Sequence, residues 1–226
     1  MDSAEHGEGS SSPNDKQRVA SVTKRGAGRG QVKVTLSDGS SFLCLQEIQE
    51  EAGIFAGHEY PSDWLKSLYA DSEMRKAERR ALNLLSYAPH SRRGLQIKLV
   101  QRGFTERPVE HALSRMEELG YLDDAKYAEG WVQSRLKNHP EGRWALLAGL
   151  MKKGIDRQTA EQAITKAAAD LPEEEAARKA LAKLTRNRSL PRIALASRLA
   201  SKGFSLPVIN RVLEDYPSES RRDRGA

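Results

Sequence analysis

Along the first thirty residues the chain shows no apolar periodicity: Met1 to Gly30 is polar, rich in glycine and serine, and is expected to be a disordered tail. Strict alternation follows in "QVKVTLSDGSSFLCL", on both sides of Asp38-Gly39, which predicts a β-hairpin around a dipeptide that readily takes positive φ. A lone hairpin is marginal, and "LQEIQEEAG" with "PSDWLKSLYA" supplies a cover in which Ile48, Trp64, Leu65 and Leu68 are the expected buried positions. Residues 31–71 therefore read as a small α/β leader. From Ser72 onward the period is helical throughout, as in Met74, Ala77, Ala81, Leu84 and in Ala176, Ala180, Leu184.

The helical part repeats. "LVQRGF" at Leu99 returns as "LMKKGI" at Leu150 and "LASKGF" at Leu199, so the glycines Gly103, Gly154 and Gly203 stand 51 and 49 residues apart. Leu95, Leu146 and Leu195 align, and so do Phe104, Ile155 and Phe204. Thr105, Asp156 and Ser205 then align as N-caps of the next helix. Each glycine suits a left-handed helix C-terminus and each following apolar residue a staple across the corner. The fold class is mainly α. It is expected to be three tandem three-helix repeats (72–122, 123–170 and 171–216) in an elongated curved array, with the leader before them and a flexible tail, 217–226, after.

Charge follows the same period. The second helices with their corners carry Arg92, Arg93, Lys98 and Arg102 (net +4), then Arg143, Lys152 and Lys153 against Glu141 (net +2), then Arg192, Arg198 and Lys202 (net +3). The third helices are net acidic, at −2, −1 and −1. These ten basic residues are the candidate binding set. Arg102, Lys153 and Lys202 suit the helix C-terminal dipole. Arg92, Arg143 and Arg192 sit near helix N-termini, where the dipole disfavours a cation, so either an ion pair with the acidic third helix or an external anion should hold them there. With a formal net charge of +6, nucleic acid or an acidic protein is the expected partner class.

Catalytic and metal patterns do not occur: there is no GxxxxGK[ST], HExxH or GxSxG, and the five histidines are scattered. Asp123 or Asp124 reads as an N-cap and Glu117-Glu118 as a solvated face. Trp131 is expected in the core; Trp144 aligns with Arg93 and Ile193 and is ambiguous. A single cysteine, Cys44, excludes an internal disulfide, and neither a membrane span nor a signal peptide is visible, which makes a cytoplasmic protein the expectation.

"SRRGLQIKLVQRGF", followed by "LSRMEELGYLDDAKYAEGWVQSR" and "KKGI", resembles the RecX family of regulatory proteins over roughly residues 73–216. Ser91 to Leu95, Arg102-Gly103-Phe104 and Gly120 to Ala128 match the family's helix start, corner and Gly-Tyr-Leu-Asp-Asp segment. Gly94 replaces the family's usual glutamate, which removes a capping box and should loosen that helix start. The resemblance implies a monomer without cofactor or catalytic residues. It implies binding to the RecA recombinase filament, restraint of its recombinase, ATPase and co-protease activities in DNA repair, and single- or double-stranded DNA as a further partner. Two other readings remain: a helix-turn-helix DNA-binding protein, disfavoured because its would-be recognition helices are the acidic ones, and a general adaptor solenoid.

Overall fold

The computed structural model describes residues 15–26, 30–186, 190–214 and 216. Those up to Leu82, together with Leu99–Arg115, form one compact unit, and Asn83–Lys98 with those from Met116 onward form a second. The expected tails at 1–14 and 217–226 lie outside the described residues.

The first unit carries a four-stranded antiparallel sheet in the order β3-β2-β1-β4, from β1 (Lys16–Lys24), β2 (Gln31–Leu36), β3 (Ser41–Leu45) and β4 (Glu59–Pro61). The Asp38-Gly39 hairpin is present: Gly39 has φ 85° and the Asp38 carboxylate accepts the Ser40 N–H at 2.8 Å. The expectation of disorder fails at β1, which pairs with both β2 and β4. Its signal was hidden by a bulge. The register shifts between Val19 and Ser21, so the two inward residues, Val19 and Val22, stand three apart and the period of two is broken. Most of "GAGRG", expected to be part of that tail, lies outside the described residues; just before it, the Arg25 N–H reaches the Gln31 carbonyl at 3.0 Å.

Helices α1 (Gln46–Glu51) and α2 (Ser62–Tyr87) cover the sheet. Ile48, Leu65 and Leu68 join its core with Val32, Val34 and Cys44, whereas Trp64 is exposed and stacks on Tyr60 with centroids 5.3 Å apart. The helix of Trp64 does not stop at residue 71. α2 runs through, and buried Ser72 accepts the Leu45 N–H at 2.9 Å, so the start of the expected first repeat packs with the sheet.

Among the described residues nine helices make the three groups: α2, α3 (Arg92–Val100) and α4 (Glu106–Glu118); α5 (Asp124–Asn138), α6 (Arg143–Lys152) and α7 (Arg157–Asp170); α8 (Glu173–Thr185), α9 (Arg192–Ser201) and α10 (Leu206–Glu214). The second and third groups lie in the second unit and share one apolar core, in which Leu146, Leu150 and Ile155 meet Leu195, Leu199 and Phe204. The three corners are alike. Gly103, Gly154 and Gly203 have φ of 87°, 85° and 81°. The N–H groups of Phe104, Ile155 and Phe204 return to the carbonyls of Leu99, Leu150 and Leu199 at 3.4, 3.2 and 3.3 Å, and each glycine N–H returns three residues, a Schellman closure used three times. After the middle corner Asp156 caps α7 through the Thr159 N–H at 2.9 Å.

Candidate functional site

Two of the basic second helices, α3 and α6, begin in the same way, each docked on the corner of the following group. At the start of α3, Ser91 is buried; its hydroxyl accepts the Gly94 N–H at 3.1 Å and donates to the Lys153 carbonyl at 2.7 Å. The Arg92 N–H donates to the Asp124 carboxylate at 2.7 Å, and Asp124 is the first residue of α5. The Arg93 stem lies over Gly154, where a Cβ would come within 2.4 Å of Arg93 Cδ. At the start of α6 the Gly142 N–H donates to the Lys202 carbonyl at 2.9 Å and the Trp144 N–H to the Gly203 carbonyl at 3.2 Å. The Arg143 N–H faces the Glu173 carboxylate at 3.3 Å, and Glu173 is the first residue of α8.

The two joints are thus equivalent. A helix N-terminus leaves its first N–H groups without intrahelical partners, and here the next group supplies the acceptors, a corner carbonyl and a carboxylate. This arrangement answers how arginines tolerate the positive end of a helix dipole: Asp124 and Glu173 place opposite charge beside them. The loss of a capping glutamate at Gly94 is offset in the same way, because the start of α3 is held by Ser91 and Asp124 together.

The joints also set the cations in a new order. Arg93 meets Gly154, the neighbour of Lys153, and Gly142, the neighbour of Arg143, meets Lys202. A helix start that carries a cation therefore docks on the next group's corner that carries another, so Arg92 and Arg143 are brought near Lys153 and Lys202 in turn. His90 lies among them: burial first, then Lys98 and Lys153, hold its imidazole below the usual histidine range. Lys153 Nζ is 5.9 Å from the centre of the Trp131 ring and the Arg135 guanidinium 5.4 Å, while Arg135 is also paired with Glu141 at 2.8 Å. Trp131 packs against the apolar core as expected, with Gly149 making room for its ring.

The ten predicted residues differ in how they are engaged. Arg92 pairs with Glu117 of α4 at 2.9 Å, so an ion pair with the third helix does hold the first member of its column, and Glu117 is more than a solvated face. Among the described residues, the side chains of Arg93, Arg143, Lys152, Arg192, Arg198 and Lys202 make no ion pair or hydrogen bond. Lys98 and Arg102 have partners of their own. Asp123, not Asp124, caps α5, through the Lys126 N–H at 2.9 Å. The joint role of Asp124 and Glu173 was missed, although the two acids stand 49 residues apart, one repeat length. Among the described residues no group of three or more His, Cys, Asp and Glu side chains could hold a metal ion, and no helix is long and apolar enough to cross a membrane.

Two family descriptions match this chain: "RecX, first three-helix domain" at residues 77–116 and "RecX, second three-helix domain" at 123–164. The regulatory protein RecX of Prosthecochloris aestuarii is 31% identical over 146 residues, which span 65% of this chain and 97% of that protein. The chain belongs to the RecX family. Its RecX relatives include that of Streptomyces coelicolor, 34% identical over 143 residues, covering 59% of this chain and 76% of the relative. A crystal structure of regulatory protein RecX shares the fold, with a TM-score of 0.65 at 22% identity over 88% of this chain and all of that one. RecX from Lactobacillus salivarius aligns with a TM-score of 0.55 at 26% identity, over 65% of this chain and 97% of its own.

Proposed function

We propose that this RecX-family chain is a non-enzymatic cytoplasmic regulator that binds the RecA recombinase filament as a monomer and restrains its recombinase, ATPase and co-protease activities. The relatives' name, regulatory protein RecX, supports the regulatory part. The observation that carries the rest is the interleaved cation set. The helix start of Arg143 meets the corner of Lys202 at one joint and that of Arg93 the corner of Lys153 at the other; among the described residues the side chains of Arg93, Arg143 and Lys202 make no ion pair or hydrogen bond, the Glu173 carboxylate facing the Arg143 backbone N–H instead. Cations that recur at two successive joints suit a partner whose negative charge also repeats, as in a filament of identical subunits around DNA.

The helix-turn-helix reading draws less support. Its recognition helices would be α4, α7 and α10, and α7 has both of its cations engaged, Arg157 with Glu161 at 2.9 Å and Lys166 with Glu129 at 2.7 Å. Arg211 of α10 is held by Glu174 at 3.1 Å. A helix reading base edges needs those side chains free.

Purified protein added to RecA filaments on single-stranded DNA should depress ATP hydrolysis and strand exchange in a dose-dependent way. Unchanged rates at saturating protein, with sequence-selective binding to duplex DNA instead, would overturn the reading.

A further inference from the structure

The second helices bury one face and leave the opposite one unpartnered. On α6, Leu146, Leu147 and Leu150 are buried, while Trp144 is 57% exposed, Met151 49%, and Ala148 lies exposed between them. These three positions fall within about 60° of one another around the helix, with Arg143 on one flank and Lys152 on the other. The pattern recurs at the repeat offset. α9 buries Leu195 and Leu199 and presents Ile193, 84% exposed, with Ser197 and Ala200 in line. On α3 the corresponding positions are Arg93, Ile97 and Val100, all exposed. A solvated helix face has no need of Trp144 and Ile193 at one aligned position and Met151 and Val100 at another, and a contiguous exposed apolar patch marks an interaction site.

We propose that this stripe, led by Trp144 and Met151, docks into apolar recesses on an acidic protein surface that the partner presents repeatedly, with Arg143 and Lys152 pairing carboxylates at the rim. The proposal rests on the filament reading and names its contact as the recombinase subunits, not the DNA within them. Charge and chemistry choose the occupant. Methionine, alanine and isoleucine have nothing to meet on a phosphate backbone, where the cations alone would suffice. A second copy of this chain would bring Arg143 and Lys152 against like charges in a molecule of net charge +6. An apolar centre with a charged rim is the anatomy of a protein–protein contact, and tryptophan is among the residues enriched at its hot spots.

The test is the full-length double variant Trp144→Ser/Met151→Ser, with Ile193→Ser as a second variant in case the first unfolds. Each is titrated against RecA filaments on single-stranded DNA and, separately, against the same naked oligonucleotide. Helical content and melting should match the parent. The concentration for half-inhibition of the filament ATPase should rise about tenfold in the double variant, with oligonucleotide affinity unchanged. Inhibition equal to the parent's would overturn the proposal. So would a parallel loss of oligonucleotide affinity, which would put the stripe on nucleic acid, or a parent that self-associates where the variant does not. A parent that leaves the filament untouched would instead sink the functional reading, and with it the occupant named here.

Discussion

Gly103 and Gly203 occupy equivalent corners and share a left-handed backbone, yet their surroundings differ. A Cβ on Gly103 would meet nothing within 4 Å, whereas one on Gly203 would sit 2.3 Å from the backbone nitrogen of Ala145. Gly103→Ala should therefore cost only the backbone strain, about 1–2 kcal/mol. Gly203→Ala adds a collision with the backbone of α6 at the joint and should cost roughly 2–5 kcal/mol. Denaturant melts of the two variants check this; equal losses would mean that the corner does not bear on α6. The left-handed corners were legible in the sequence because glycine, staple and cap recur together at fixed offsets. Gly142 was not legible. It is close to Gly203 for a reason that belongs to packing between groups: a Cβ there would fall 2.2 Å from the Gly203 carbonyl oxygen. Nothing local to "PEGRW" encodes that. Trp64 errs the other way, since its helical spacing matched a buried face while its ring found a stacking partner at the edge, in Tyr60.

Among the elements, the decisive feature is a helix start closed by a carboxylate from the next group. Asp124→Ala should free the first N–H of α3 and lower stability by about 1–2 kcal/mol, and Asp124→Asn, which keeps an acceptor, should recover most of it. If alanine and asparagine behave alike at 124, the cap is not contributing. His90 gives the same joint a pH dependence. Its imidazole is held below its ordinary value by burial and by the cations Lys98 and Lys153, so the unfolded chain takes up this proton first as pH falls. Stability should decline as pH drops from the ordinary imidazole value toward the lowered one, and His90→Asn should flatten that decline in melts between pH 7 and 5. An unchanged slope would show that another group titrates there. Helical periodicity was readable in α2, α5 and α8, because helices with one buried face announce themselves, and the repeat carried the reading to the helices after them. β1 was not, because its bulge moves the second inward valine out of step.

For the molecule as a whole, repeat length was visible at once, while the way successive groups meet was not. Alignment put the arginines in one column and the corner cations in another. The joints of the second unit interleave them, since the start of α6 docks on the corner after α9 and the start of α3 on the corner after α6. That relation depends on backbone contacts between residues roughly sixty apart, such as Gly142 with Lys202 at 2.9 Å, and side-chain pattern carries no trace of it. The central claim is that the cations gathered at these joints act on the recombinase filament. It is tested most directly by measuring ATP hydrolysis of RecA filaments on single-stranded DNA against increasing amounts of the parent and of an Arg143→Ala/Lys202→Ala variant. Among the described residues these two side chains make no ion pair or hydrogen bond, so the variant should keep the parent's helical content and melting temperature. The account predicts dose-dependent inhibition by the parent that is mostly lost in the variant, with what remains less sensitive to salt. A folded variant that inhibits as well as the parent would contradict it.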